Sequence, residues 1–564
     1  MVHSPLFRKL IRTFQQAHLA NLQAQGVDPS PVKRSTDWTR RRFVRTAALA
    51  GGSAIATRTL AHSKVAWGNQ SPRIAIVGGG IAGLHAAYQL KKAGLQAIVH
   101  EARTRLGGRM QTVTGAVGPG LVSEVGGQLI NTDHLDMLAL VEDFGLTLFD
   151  RAEDAAQSPF PETAFYFGGQ HRSEAEVAEK LRPLARQIAA DAIRLNANYD
   201  RVAPEFDHLS VTQYLDLNAD KITDPFIRRL MEETIRTEYG VEPSQSSALQ
   251  LLFNLPLVKG DTVQVLGASD EVYVVKGGVS QIIEGLANAL TGQIRLGMQL
   301  TKLTLQGSGY QLTFGNTQVE ADYVILAIPP TVLRQVDLQV TLPAKLKKFI
   351  QEVNLGANEK LLAGFNQKVW RQSNGFVGEV WTDLGFSEAW EGSQAQTERK
   401  EGELTFFFGG NPVKALQVGS ASTQGKRWVQ QINAIIPGAQ AASNNQFLRT
   451  AWTQDPLTQG GYTSFKPGQL TEFSNYFYIE SNSPQGRQDV AVGNLIFAGE
   501  HFSDAFYGFM NGAAETGRLA AEVILRNLQG QKTDSKTTLE PTVKTHRSRI
   551  NQSVHTSGLV REEP

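Results

Sequence analysis

The stretch that most constrains this chain is a strand, a glycine turn and a helix laid end to end. Arg73-Ile74-Ala75-Ile76-Val77 is a short apolar run, and Gly78-Gly79-Gly80-Ile81-Ala82-Gly83 follows it. Leu84, Ala87, Tyr88 and Leu90 then recur at helical spacing until Gly94 stops them. Gln96 to His100 reads as a second strand, and Glu101 comes 23 positions after Gly78. The glycines serve different ends. Gly78 lets the backbone turn, Gly80 lets it approach a pyrophosphate, and Gly83 lets helix and strand pack closely. The helix N-terminus offers amide donors to phosphate, and Glu101 can accept both ribose hydroxyls of an adenosine. The order predicts an α/β, Rossmann-like domain that binds a dinucleotide. A purely structural glycine turn is the competing reading, and it would need neither the second strand nor the acid.

Composition narrows the classes. A chain of 564 residues has room for several domains, and Lys+Arg 55 against Asp+Glu 54 leaves a net charge of +1. That balance gives no field for a phosphate backbone, so nucleic acid is excluded as a partner. There is no cysteine, hence no disulfide, thiolate metal site, cysteine nucleophile or cysteine-linked cofactor. The 11 histidines show no metal-ligand spacing with Asp or Glu, and no metal is expected.

The two ends carry different signals. Thr39-Arg40-Arg41-Arg42-Phe43-Val44-Arg45, followed by a weakly apolar run from Thr46 to Ala61, resembles a twin-arginine export signal. Gly51, Gly52, Ser53 and Arg58 interrupt the run, so it is too short and too polar to span a membrane. A basic linker is the plain alternative. The resemblance implies the twin-arginine translocation machinery as a partner, which carries folded, cofactor-loaded cargo, and a periplasmic or equivalent luminal location. Upstream, Leu6, Phe7, Leu10, Ile11 and Phe14 share a helical face beside Arg8, Lys9 and Arg12. That pattern suits a helix packed on the body or, alternatively, one lying on a membrane surface. Gln529 to Pro564 is polar and without apolar periodicity, which reads as a mobile tail.

Farther along, Glu101-Ala102-Arg103-Thr104-Arg105-Leu106-Gly107-Gly108-Arg109 resembles the extension after the acid in the monoamine oxidase, polyamine oxidase and L-amino-acid oxidase superfamily. The likeness returns at Val274-Val275-Lys276-Gly277-Gly278-Val279 and at Asp322 to Pro330. It returns again at Asn494-Leu495-Ile496-Phe497-Ala498-Gly499-Glu500 and at Gly508-Phe509-Met510-Asn511-Gly512-Ala513. The resemblance implies FAD, and a Rossmann-like FAD-binding domain interleaved with an α+β substrate domain. The FAD portions would be 72–150, 271–335 and 451–528. The substrate portions would be 151–270 and 336–450, with 1–70 as the N-terminal extension and 529–564 as the tail. It implies further that Arg103 and Arg109 supply donors to pyrophosphate or flavin oxygens, and that Gly107 and Gly108 clear space beside the ribityl chain and ring. Leu300 would meet the adenine and Glu500 would bond the ribityl or pyrophosphate part. The helix N-terminus near Met510 would face the flavin pyrimidine edge and favour the reduced anion.

The same resemblance implies the catalytic residues. Gly460-Gly461-Tyr462-Thr463-Ser464-Phe465 and the C-terminal block give Tyr462 and Phe509 as aromatic walls for the substrate nitrogen. Asn358-Glu359-Lys360-Leu361-Leu362 gives Lys360 as the lysine that reaches flavin N5 through a water. A buried ammonium there would be held by water or an anion, and Trp452 would help to wall the cavity. Gly461 stands where mammalian monoamine oxidases carry the flavin-linking cysteine, so the FAD should be non-covalent.

The expected activity is oxidative deamination of primary amines or polyamines. Hydride passes from the α-carbon to flavin, water hydrolyses the imine, and O2 restores the flavin with release of H2O2. Glu232, Glu238, Glu379 and Asp383 are candidate acids for a distal ammonium, none of them catalytic. Where many L-amino-acid oxidases place an arginine, this chain has Asn131. An L-amino-acid oxidase would need its carboxylate anchor elsewhere, at Arg236 or Arg371. A non-oxidising isomerase or binding protein on the same fold is a third reading, and a homodimer fits the sequence as well as a monomer does.

Overall fold

The computed structural model describes residues 71–481 and 483–530. The export motif, the upstream amphipathic segment and nearly all of the polar tail lie outside the described residues.

A six-stranded sheet forms the first half of the fold, in the order Ile294–Arg295, Ala97–His100, Ile74–Val77, Tyr323–Leu326, Leu495–Phe497, Ala491–Val492. The first five strands are parallel and the last is an antiparallel edge. Ile74–Val77 is buried along its whole length, as a central parallel strand covered on both faces must be. The helix Ile81–Lys92 starts with Gly80 at its N-cap, ends on Lys91 and Lys92, and hands the chain to Gly94 at φ +83°. The long helix Met510–Leu528 lies against it. A Cβ at Gly517 would come within 2.2 Å of the Ala82 carbonyl oxygen, so the two helices approach at a distance only glycine permits there. The second strand begins at Ala97 rather than Gln96. The Val274 segment forms a short strand, Tyr273–Val275, that pairs antiparallel with Leu148–Asp150.

The second half is a seven-stranded, mainly antiparallel sheet. Its order is Ser443–Arg449, Asn358–Phe365, Gly402–Gly409, Glu388–Glu391, Glu379–Thr382, Thr163–Phe167, Gln170–Arg172. The Asn358–Phe365 and Gly402–Gly409 strands are buried at every position, so both faces are covered. One face carries Leu361, Ala363, Phe365, Leu404, Phe406 and Phe408 into an apolar core with Trp370 and Trp428. The opposite face looks toward the first sheet. Strand register aligns Lys360 with Phe407, Phe407 with Glu388, and Glu388 with Trp381, one cross-strand row on that face. The chain thus visits the two sheets alternately, the first with residues 74–100, 294–326 and 491–497, the second with 163–172, 358–409 and 443–449.

Helices between these passages close the sides. Pro225–Tyr239 is capped by Asp224, has proline at its first position and stops at Gly240, which takes φ +62°. A side chain at Gly240 would strike Asn358 Oδ1 at 2.0 Å, so the stop also brings Thr237, Glu238 and Tyr239 tight against the Lys360 strand. Among the described residues no helix is long and apolar enough to cross a membrane.

Candidate active site

Two adjoining cavities lie between the halves and share Arg109, Gly127, Gly461, Tyr462, Gly508, Phe509 and Met510. The first is elongated along the glycine loop. Gly78, Gly80, Glu101, Arg103, Gly108, Arg109, Leu300, Glu500 and Met510 all line it. Gly83 does not, because its place is underneath: a Cβ there would sit 2.0 Å from the Gly78 carbonyl oxygen. Gly78 is held at φ +109° against the Ala327 carbonyl, whereas a Cβ on Gly80 would meet no protein atom within 4 Å. The missing side chain at Gly80 therefore serves space that the protein leaves open.

Glu101 accepts the Gly79 N–H at 2.6 Å and the Arg103 N–H at 2.8 Å, which fixes the carboxylate at the cavity end. Its backbone carbonyl takes the Met298 N–H at 2.8 Å, drawing the chain ahead of Leu300 alongside. Arg103 is engaged by Asp455 at 2.9 Å, so its guanidinium arrives partly neutralised. Arg109 donates to the Gly461 carbonyl at 2.7 Å and to Glu500 at 2.9 Å. Glu500 also accepts from Thr463 Oγ1 and from the Gly508 N–H. Burial pushes the Glu500 carboxyl up, but Arg109 and these donors outweigh it and hold the group below the ordinary glutamate value. Beside it His501 is buried, and its pKa falls to about 4, so the imidazole is neutral; its Nδ1 has no partner in the protein.

The second cavity lies under the row carrying Lys360. Lys360 Nζ donates to the Gly126 carbonyl at 2.8 Å, the Glu124 carbonyl at 3.1 Å and Gln128 Oε1 at 3.4 Å, and it stands 5.2 Å above the Trp390 ring. Carbonyl oxygens and a π face therefore hold the ammonium on its protein side. With three acceptors its three N–H donors are spoken for. Burial lowers Lys360 to about 8, opposed by Glu124, Glu403, Glu271 and Glu388. Tyr462 donates its hydroxyl to the Thr237 carbonyl, and Phe509 packs edge-on to His134 with centroids 5.2 Å apart. Both rings line both cavities, at the place where they meet. Trp452 is a wall as expected, with its indole N–H on the Val125 carbonyl at 2.8 Å.

Of the four candidate acids only Glu238 lines this cavity. Glu232 is paired with Arg228 at 3.0 Å and Asp383 with Arg229 at 3.0 Å, both outside the lining, and Glu379 lies one step behind it. Glu271 and Glu388 do line it, and sequence reasoning missed both. Neither sits in a recognisable motif; Glu388 belongs to the Glu-Ala-Trp-Glu strand, which puts one glutamate on each face and so marks neither as the polar one. Arg236 is locked to Glu233 and Glu242, and Arg371 to Asp154 and Glu391, with neither in the lining. Asn131 is absent from it too, tied to Ser269. Among the described residues no cluster of three or more metal-ligating side chains occurs.

Residues 81–525 match the sequence pattern of the flavin containing amine oxidoreductases. The chain belongs to that family. Its cofactor is FAD, and it is a flavin-dependent amine oxidoreductase. A probable flavin-containing monoamine oxidase A of Dictyostelium discoideum is 25% identical over 469 residues, covering 80% of this chain and 97% of the relative. An L-amino acid dehydrogenase of Synechocystis is also 25% identical, over 80% of this chain and 94% of its own length. Among solved structures, putrescine oxidase aligns with 81% of this chain and 99% of its own, at TM-score 0.67 and 24% identity. Cyclohexylamine oxidase from Brevibacterium oxydans gives TM-score 0.65 at 21% identity, over 82% of this chain and all of its own.

The residues present suit FAD. The open face of Gly80 at a helix N-terminus suits a pyrophosphate, the fixed Glu101 carboxylate suits ribose hydroxyls, and the unpartnered His501 nitrogen adds a polar contact. The chain has no cysteine, which excludes a thioether bond to the flavin.

Proposed function

We propose that this protein is an exported amine oxidase that deaminates primary amines or polyamines with O2, yielding an aldehyde, ammonia or a shorter amine, and H2O2. The observation that carries the reading is the charge of the substrate cavity. Glu238, Glu271 and Glu388 line it, and its two cations, Lys360 and Arg109, are both bonded to protein acceptors. Such a cavity attracts a cationic amine and offers no ready partner to a substrate carboxylate, which counts against the amino-acid alternative. Thr237 Oγ1 belongs to a lining residue, lacks a protein partner and can accept from an ammonium.

Bound flavin would supply the acceptor for the hydride equivalent and its return to O2. Tyr462 and Phe509 would flank the nitrogen and orient the α-carbon, since their rings stand where the two cavities join. Lys360 would keep a positive charge beside the reacting atoms. Gly80, Glu101, Arg109, Leu300, Glu500 and Met510 would hold the cofactor along the first cavity, with Arg103 contributing through its Asp455 pair.

Anaerobic mixing with spermidine, putrescine, 2-phenylethylamine and several L-amino acids tests the substrate reading. Bleaching of the flavin by amines is expected; bleaching by amino acids alone overturns it. The export reading rests on the Thr39–Arg45 match, and replacing Arg40 and Arg41 by lysine should leave the enzyme in the cytoplasm. Unchanged fractionation of that variant would refute export by this route.

A further inference from the structure

Oxidation at an amine's α-carbon draws on the nitrogen lone pair, yet an alkyl ammonium, like a lysine side chain, keeps its proton to about pH 10. A substrate entering as a cation must give up one proton inside the cavity, and none of the roles above provides an acceptor. Lys360 has its donors committed to carbonyl groups. The Tyr462 phenol is pushed far above its ordinary value by burial and donates to Thr237. Glu359, also in the lining, has its carboxylate taken up by Thr450 and by the Thr453 N–H and hydroxyl, which leaves Glu238, Glu271 and Glu388.

Glu388 differs from the other two in having a route behind it. It is 5% exposed, lines the cavity, and occupies the same cross-strand row as Lys360, two strands away and thus about 10 Å off between Cα atoms. Glu388 pairs with Trp381, so Glu379, two residues earlier on that strand, is its diagonal neighbour on the same face. Glu379 is half-buried and also accepts from the Trp381 indole at 2.9 Å. Next comes Glu162 at the surface, whose carbonyl receives the Glu379 N–H at 3.1 Å and whose carboxyl feels the Glu379 charge. Three carboxyls lead from cavity wall to solvent.

The geometry points to Glu388 and Glu379 as a paired proton acceptor, through which the substrate ammonium loses its proton toward Glu162 and solvent. Burial and the neighbouring acids keep Glu388 from ionising readily, so the pair enters the reaction holding one proton. R–CH2–NH3+ and the singly protonated pair become R–CH2–NH2 and the doubly protonated pair: one N–H bond breaks, one O–H bond forms, and no electrons leave either partner. The groups facing Glu388 are Glu379, Glu271, Glu238, Lys360 and Tyr462. Burial and the three acids raise its proton affinity, which brings donor and acceptor closer in strength than a solvated carboxylate could.

The inference rests on the amine oxidase reading, and the test separates the two. Flavin reduction by 2-phenylethylamine, a monoamine, is followed anaerobically from pH 6 to 10 in wild type, Glu388→Gln and Glu379→Gln holoenzymes. Internal transfer makes the wild-type rate nearly independent of pH on the acid side, falling less than about threefold from pH 8 to 6. With an amide in place of either acid the proton must go to bulk water, and the rate should fall about tenfold per pH unit below the bound amine's pKa. Glu379 does not line the cavity, so steepening in its variant reads the relay rather than a lost substrate contact. A wild-type rate that falls steeply from pH 8 to 6, or variants slower by the same factor at every pH, would overturn the pair. Absence of bleaching by any amine in wild type would instead overturn the parent reading.

Discussion

Replacing Gly80 with alanine separates the two demands a glycine can meet in the loop. Gly80 sits at φ −76°, ψ 178°, an extended conformation open to any residue, and its added methyl meets no protein atom within 4 Å. Apoprotein carrying G80A should therefore stay within about 1 kcal/mol of wild type, because the reduced freedom of the unfolded chain opposes the poorer fit of alanine at a helix N-cap. Cofactor binding should suffer, because the methyl occupies the space left for the pyrophosphate. Each amide-to-phosphate hydrogen bond lost is worth about 1.5–3 kcal/mol, which is about 10- to 150-fold in Kd. G83A is the contrast. Its methyl would land 2.0 Å from the Gly78 carbonyl oxygen and 3.2 Å from Ile76 Cγ2, so overpacking should cost about 1–3 kcal/mol with or without FAD. The assay is a thermal melt of both apoproteins followed by a fluorescence titration with FAD. A G80A apoprotein that melts well below wild type, or one that binds FAD as tightly as wild type does, would refute this reading of the cavity.

Lys360→Met should retain FAD yet slow flavin reduction or reoxidation by tenfold or more, about the effect of losing a buried charge beside the reaction; stopped-flow rates unchanged in both half-reactions would remove its role. In wild type Lys360 is charged below about pH 8, so any rate that depends on this charge should decline as pH rises through 8. Glu238→Gln and Glu271→Gln should raise KM for putrescine more than for 2-phenylethylamine, because only the diamine presents a second ammonium to these acids; equal changes for the two amines would count against a cation-binding wall. Acid precipitation of the holoenzyme should leave the yellow colour in the supernatant, and a flavin that stays with the pellet would contradict non-covalent binding.

What the linear chain made visible is whatever is encoded within a few tens of residues. Strand, glycine turn, helix and Glu101 form one local unit, and the cofactor cavity follows from it almost without further information. Lys360, Tyr462 and Phe509 were legible because each lies in a short segment shaped like its counterparts in the superfamily. Arg103 was only half legible, since nothing nearby announces Asp455, 352 positions along the chain.

The character of the substrate cavity belongs to another level. Whether Glu388 faces a cavity or a core is settled by the pairing of Asn358–Phe365 with Gly402–Gly409 and of that strand with Glu388–Glu391. A slip of one residue in either pairing would turn Glu388 to the other face, and no residue near Glu388 records that choice. Glu271 and Glu238 likewise arrive on separate loops and helices. The sequence by itself determined the dinucleotide fold, the absence of a cysteine link and the segments that bring Lys360, Tyr462 and Phe509 to the cavity walls, because short-range backbone geometry and side-chain chemistry suffice for those. The tertiary structure alone decided which carboxylates share the cavity and which arginines are shut out, because only strand register and helix packing bring distant charges together.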